Sequence, residues 1–422
     1  MKRKLLRQTL NEWRTNIWLI VEMIIVSAIV WYINDYLYVQ TATRLEPTGF
    51  DASHVYMVEL GHLSPESPRY TDYGEEKLER NRSDLRVILD AIRQRPEVES
   101  VSLSQGAEPY FQNFWGTGLK VVDDTTSISV YYRQISPEHP RTVGYRPADG
   151  FTIEQLEEVL RQGKPLVTEF DYGSRGVRGH INSTELLSRR IYDPMDTAVT
   201  LTIGGLLKPV KRTDIETRSF ISYFEPIDID HIGVTPQYKI NVRVRPEADR
   251  DFIGRFNADR ERLYRSGNTY IAGIKSYAQV QDKFDRENMV TIRKYVAVMA
   301  FMLISVFLGL LGTFWFRTQQ RTSEIAMRKV NGATDSSVFR RLIGEGLLML
   351  AIATPPAVLI DWLLCHYELN AVYGLQGYIT PGRFVITVAA TTLLMALMVI
   401  AGIWFPAHKA TKIEPARALA DE

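Results

Sequence analysis

The sequence predicts an α-helical membrane domain of four transmembrane helices, with an α+β extracytoplasmic (periplasmic) domain inserted between helices 1 and 2. Three observations carry this prediction. Apolar residues gather into four blocks, the long polar stretch 40–291 alternates strand and helix periodicity, and basic residues crowd only one set of block flanks. The average composition of the 422 residues conceals this division, with 45% hydrophobic and 23% charged and a mean hydropathy of −0.13.

Crossing about 30 Å of hydrocarbon takes roughly 20 helical residues, because each rises about 1.5 Å. Residues 295–316 and 384–405 meet this length without a single charge. Residues 342–364 carry Glu345 near one end and Asp361 near the other, and residues 17–39 carry Glu22 and Asp35 in the same way. Near span ends such acids are expected to reach the headgroup region, where their cost falls. Trp13, Trp18, Trp31, Trp315, Trp362 and Trp404 stand at block edges as an aromatic belt does. Pro355-Pro356 predicts a kink in the third helix. Gly309 and Gly312, or Ser27 and Ala28, offer small-residue surfaces that either pack against a second copy or face lipid.

The predicted boundaries are an amphipathic N-terminal segment 1–16, spans at 17–39, 292–316, 342–365 and 383–405, and connections at 40–291, 317–341 and 366–382, with a tail at 406–422. Lys2, Arg3, Lys4, Arg7 and Arg14 flank the first span; Arg317, Arg321, Arg328, Lys329, Arg340 and Arg341 lie between the second and third; Lys409, Lys412 and Arg417 follow the fourth. Residues 366–382 hold no Lys or Arg. The positive-inside rule therefore assigns both termini and 317–341 to the cytoplasm, and 40–291 to the outside. A cleaved signal peptide would also begin with basic residues, but the first block is too long and too heavily flanked for one.

Within 40–291, residues 55–60 and 98–103 read as strands flanking a helix at 75–95, in which Leu78, Leu85, Ile88, Leu89 and Ile92 recur near the 3.6-residue period. Together they predict a β-α-β unit. Strands are expected at 127–134, 198–207 and 238–244, and an amphipathic helix at 248–266. The Pro-, Gly- and charge-rich stretch 137–172 is expected to join two lobes. No catalytic constellation emerges: the seven histidines are scattered, and no serine sits in a G-x-S-x-G elbow. No metal site is expected, since Cys365 is the single cysteine and Asp123-Asp124 and Asp228 with Asp230 lack calcium-loop spacing. A net charge of +1 gives no reason to expect nucleic acid. Tyr110, Phe111, Phe114 and Trp115 cluster beside Gly116 and Gly118, as either a local core beneath a loop or a tip that contacts substrate or partner.

The most informative stretch is 321–334. Glu324 precedes Arg328 by four residues, the favourable order for a helical ion pair, and Asn331-Gly332 supplies a stop. This short helix is too polar to span, and serves either as an interfacial helix against lipid or as a docking helix for a partner. Its pattern R-x-x-E-I-x-x-R-K-x-x-G-A, carried by Arg321, Glu324, Ile325, Arg328, Lys329, Gly332 and Ala333, resembles the signature after the second span of MacB/FtsX-like ABC transporter permeases. Ala326 stands where that family usually has glycine. The tail resembles the family's P-x-x-A-L-R-x-E ending through Pro415, Ala418, Leu419 and Glu422, with Ala420 replacing a basic residue. Residues 95–101 (R-P-E-V-E-S-V) and Glu345 are further echoes.

The resemblance implies a permease half of the mechanotransmission type that dimerises with an identical or paralogous permease, docks a cytoplasmic ABC ATPase through this helix, and works with a periplasmic adaptor or outer-membrane partner. It implies no catalysis and no cofactor in this chain, with ATP and Mg held by the ATPase. Since 1–422 contain no G-x-x-x-x-G-K-[ST] loop, that ATPase is expected to be a separate polypeptide. The implied task is export or envelope handling of a peptide, antibiotic or lipoprotein. The alternative is an FtsX-like regulator that transports nothing and activates a periplasmic partner such as a cell-wall hydrolase. A signalling receptor fits less well, because no signalling segment follows the spans. Spans two to four show no run of polar residues that would line a conduit.

Overall fold

The computed structural model describes residues 13–111, 115–172, 174, 176–216, 220–367, 369–370 and 380–413. The chain divides into two units, Thr43–Glu287 and the remainder on either side of it in sequence. Among the described residues four helices are long and apolar enough to cross a membrane, and in sequence the α/β unit falls between the first and second of them. The N-terminal bases up to Arg7 and the tail motif from Pro415 onward lie outside the described residues, as does most of the 366–382 connection.

The chain runs from α1 (Trp13–Leu45) into β1 (Val55–His62), α2 (Lys77–Arg93) and β2 (Val98–Gln105). Leu85, Ile88, Leu89 and Ile92 recur on one face of α2 and are fully buried against the sheet. The two strands flanking α2 are not neighbours, which corrects the simple β-α-β reading. Between them lies β11 (Lys239–Val244), antiparallel to both, with Asn241 opposite Met57 on one side and Ser102 on the other. Its Ile240, Val242 and Val244 are fully buried, so this strand takes a central place. After β11 come a 3₁₀ turn, α6 (Phe252–Leu263), β12 (Arg265–Ser266) and β13 (Thr269–Ser276), with β13 pairing the free edge of β1. The order β13-β1-β11-β2 is that of a ferredoxin-like split β-α-β pair. The helix expected over 248–266 is shorter because Asp251 adopts a left-handed conformation (φ 56°) just before it.

Residues 106–238 form a second lobe inserted between β2 and β11. Its central strand β4 (Ser127–Ile135) pairs with the end of β2 through Ser104↔Ile135 and Gln105↔Gln134, so one sheet continues through both lobes. Around it lie β3 (Trp115–Lys120), β6 (Val177–Arg178) and the parallel β10 (Ile221–Pro226), then β5 (Leu166–Thr168) and β9 (Gly205–Leu207). Adjacent Tyr223 and Phe224 of β10 enter different cores, as the two-residue period of a strand requires. The second of these cores lies beneath α4 (Ile153–Arg161), which Thr152 and Gln155 close with a reciprocal capping box. The 137–172 stretch therefore forms α3 (His139–Val143), α4 and β5, while the β2–β4 pairing joins the lobes. The strand expected at 198–207 is two strands. β8 (Thr200–Thr202) pairs β7 (Arg190–Tyr192), after the short α5 (Ser183–Leu186), in a separate sheet. The chain then passes so close to α4 that a Cβ on Gly204 would lie 2.2 Å from Val159 Cγ1.

The other unit packs α1 against α7 (Tyr277–Gln320), α9 (Asp335–His366) and α10 (Pro381–Thr411), with α8 (Thr322–Val330) between α7 and α9. The second helix begins well before residue 292. Asp282, Lys283, Asp285, Arg286 and Glu287 hide its first turns from any hydropathy reading. Leu19, Met23 and Val30 of α1, Leu310 and Phe314 of α7, Met349 and Ala353 of α9, and Val399 and Ile403 of α10 share one core. Close approach depends on Gly402, where a Cβ would lie 3.0 Å from Leu310 Cβ, and on Gly346, where it would lie 2.1 Å from Ile403 Cδ1. Gly309 faces Glu22 inside the bundle, so that glycine is not free for a second copy.

Asp35 departs from expectation. It is buried, and Arg383 grips it with both Nε (2.7 Å) and Nη2, while Asn370 donates to it at 2.9 Å. Trp31 Nε1 to Thr387 Oγ1 and Asn34 Nδ2 to Thr391 Oγ1, each 3.0 Å, continue a polar seam between α1 and α10. Asp35 is satisfied by side chains rather than by headgroups.

Candidate functional site

α8 is an amphipathic helix folded back on the ends of its neighbours. Ile325 is buried in the helix-bundle core with Phe314, Val338, Leu342 and Ala407, and Ala326 is buried next to it in sequence. Ala326 has no exposed surface, so only a small side chain fits there. At the C-terminus, Gly332 adopts φ +88°. Its N–H donates to Lys329 O and that of Ala333 to Arg328 O, both 3.0 Å, which is the two-bond Schellman arrangement. Thr334 follows at once as the N-cap of α9, accepting from Ser337 N at 3.3 Å. The N-G-A-T run thus ends one helix and starts the next within four residues.

Charged side chains complete the corner. Arg321 Nη1 donates to the buried Glu345 of α9 at 3.4 Å, and Arg341 Nε lies 3.4 Å from the same carboxylate. Lys329 Nζ donates to the carbonyls of Thr411 (2.6 Å) and Ile413 (3.1 Å) at the end of α10, and pairs with Asp335 at 2.9 Å. One ammonium therefore ties α8, α9 and α10 together. Glu324 and Arg328 pair on the outer side, with Nη2 at 2.5 Å and Nε at 3.1 Å from Oε1. Such an exposed pair stabilises the helix by only about 0.3–0.5 kcal/mol, so it contributes little to the fold. Met327 and Val330, 54% and 61% exposed, lie beside it, and the sequence reading missed them. Their spacing of three on the face opposite Ile325 was the available signal.

Of the seven signature residues, Ile325, Arg321 and Lys329 hold the corner together, Gly332 and Ala333 form the turn, and Glu324 and Arg328 face outward. The aromatic cluster in the α/β unit divides differently. Tyr110, at φ +60°, turns into a core with Val55, Met57 and Tyr277 and leaves the contact surface. Burial and nearby Asp214 push its hydroxyl well above the ordinary tyrosine range. Phe111 and the exposed Trp115 line a cleft with Tyr132, Met195 and Pro236. Phe114 lies outside the described residues. Among the described residues, no three His, Cys, Asp or Glu side chains gather to hold a metal ion.

Residues 296–415 match the family model described as FtsX-like permease C-terminal. No curated protein matches the chain. Solved structures match it at low similarity, among them these three. A domain of a protein described as a permease from Porphyromonas gingivalis is 12% identical over 53% of this chain and 91% of its own, with a TM-score of 0.33. The extracellular domain of the noncanonic ABC-type transporter YknZ from Gram-positive bacteria is 11% identical over 51% and 100%, with a TM-score of 0.30. The periplasmic region of MacB from Actinobacillus actinomycetemcomitans is 11% identical over 57% and 97%, with a TM-score of 0.31. At these values the likenesses say nothing of shared activity. The family match covers α8, with its corner, and most of the helices on either side of it. The resemblance carried by 321–334 holds to this extent: residues 296–415 match an FtsX-like permease C-terminal domain, within a chain whose described residues include four helices long and apolar enough to cross a membrane.

Proposed function

We propose that this chain is the permease subunit of an ABC transporter, coupling ATP hydrolysis by a separate ATPase subunit to movement of its extracytoplasmic domain. The observation that carries this reading is the two-sided character of α8. Its inner face is held by Ile325, Ala326, Arg321 and Lys329, while Met327, Val330 and the Glu324–Arg328 pair face outward from a corner braced against α9 and α10. A helix so held transmits a push on its outer face to the spans instead of yielding. Arg321, Arg328, Lys329, Arg340 and Arg341 favour the cytoplasm for this corner. The ATPase supplies ATP and Mg, and this chain supplies docking and transmission. A second permease copy or paralogue completes the assembly, and the domain acts on a peptide, antibiotic or lipoprotein in the envelope.

The test is co-purification of the cognate ATPase with the full-length chain. Glu324→Lys combined with Met327→Asp reverses one outward charge and adds another where an apolar contact is expected, leaving the buried residues untouched. The recovered ATPase should fall at least about tenfold, corresponding to roughly 1.4 kcal/mol of binding. Undiminished recovery with the helix still folded would rule out docking through α8.

A further inference from the structure

Two clefts adjoin in the α/β unit. The first, about 520 Å³, is the aromatic one lined by Phe111, Trp115, Tyr132 and Met195. The second, about 660 Å³, is lined by Asp193, Tyr223 and Glu225 and bounded across the lobes by α2. They meet where the Tyr132 hydroxyl donates to the Glu225 carboxylate. A row of rings leads from one to the other, with centroids 5.6 Å apart for Trp115–Tyr132 and 5.9 Å for Tyr132–Tyr223.

The charge along this row is unbalanced. Among the described residues neither Glu225 nor Asp193 takes part in an ion pair, although both line the second cleft. The arginines of the second cleft are already engaged: Arg86 by Asp230, Arg93 by Asp90, and Arg161 by Glu138, Glu157 and Glu158. Lys239 of the first cleft donates to the Pro236 carbonyl at 2.9 Å. Burial and the like charge of Asp193 push the Glu225 carboxyl above its ordinary range, against the opposing effect of the Tyr132 hydrogen bond. Asp193 is held in place by the backbone N–H groups of Met195 (2.7 Å) and Asp196 (3.1 Å). The Tyr223 hydroxyl, beside both acids, is fully buried yet has no hydrogen-bond partner. A partly desolvated carboxylate, a second acid and an orphaned hydroxyl together call for a donor that carries positive charge. A divalent metal would want more ligands than these two acids offer, whereas an ammonium donates to carboxylates and a hydroxyl oxygen and packs against aromatic faces at once.

We propose that the joined clefts bind an organic cation bearing an aromatic or apolar tail, with its ammonium at Glu225, Asp193 and the Tyr223 hydroxyl and its tail against Tyr132, Trp115 and Phe111. As the permease's substrate site this rests on the reading above; as a binding site it stands without it.

Equilibrium dialysis of the full chain in lipid nanodiscs, with no ATPase present, tests the site. Tryptamine is the cationic probe, N-acetyltryptamine its neutral counterpart, and empty nanodiscs give the lipid background. Tryptamine should be retained above background, and N-acetyltryptamine at least about tenfold more weakly. Glu225→Gln and Asp193→Asn, which keep the acceptors that Tyr132 and the backbone need, should each weaken tryptamine about tenfold, and Trp115→Ala should weaken it severalfold. Equal retention of the two probes, no retention of tryptamine, or binding unchanged in both carboxamide variants would overturn the proposal. If Glu225→Gln does not fold, Asp193→Asn decides alone. Because the ATPase is absent, failure here leaves the α8 docking test untouched.

Discussion

His139 shows how far burial moves a single group. It is fully buried, with Nδ1 3.0 Å from Ser102 Oγ. Burial, with the Arg133 guanidinium beside it, pushes its pKa from 6.5 down to about 3. The folded state therefore keeps the ring neutral while the unfolded chain takes up a proton below about pH 6.5. Stability from this group is present above pH 6.5 and is lost as the pH falls toward 3, by roughly 4–5 kcal/mol at the limit. Buried Glu108 acts in the opposite direction: desolvation raises its pKa, so it favours the folded state as the pH falls. Comparing variants separates the two. His139→Gln should flatten the acid-side loss of protection across residues 98–143 relative to wild type, read by hydrogen exchange corrected for its intrinsic pH dependence. An unchanged acid limb would show that His139 is not the group responsible. Nothing in the spacing of the seven histidines distinguished this one, because burial is set by distant residues.

Between elements, the α1–α10 seam and the α8 corner were legible to different degrees. The Glu324–Arg328 pair and the Asn331-Gly332 stop could be read directly, since helical spacing and a left-handed glycine are local properties. The reach of Lys329 to the Thr411 carbonyl could not, because it depends on where α10 ends in space. The Asp35–Arg383 pair joins residues 348 positions apart, and the sequence reading took Asp35 only as an acid near a span end. Removing one partner leaves a buried charge alone, so Asp35→Asn should cost about 3–5 kcal/mol. The full chain in detergent should then unfold at lower denaturant, while Asp35→Leu with Arg383→Met should recover most of the loss. If the single and double variants were equally unstable, the seam would not depend on that pair.

At the scale of the whole chain, the basic flanks predict that α8 and the 43–287 unit lie on opposite sides of the membrane. With Cys365→Ser as background, an impermeant maleimide on intact cells should label Thr235→Cys and reach Asn331→Cys only after permeabilisation. The reverse pattern would invert the orientation and remove the cytoplasmic docking of α8. By itself the sequence determined the four apolar helices, the α/β unit between the first two, the short polar helix after the second and the family signature it carries. These are periodicities and compositions confined to one stretch of chain. Only the tertiary structure decided that β11 separates β1 from β2, that β4 carries the sheet into the inserted lobe, that Tyr110 turns inward while Trp115 stays exposed, and that Glu225 and Asp193 line one cleft. Each of these depends on which surfaces from remote segments bury one another best, and local periodicity holds no record of that choice.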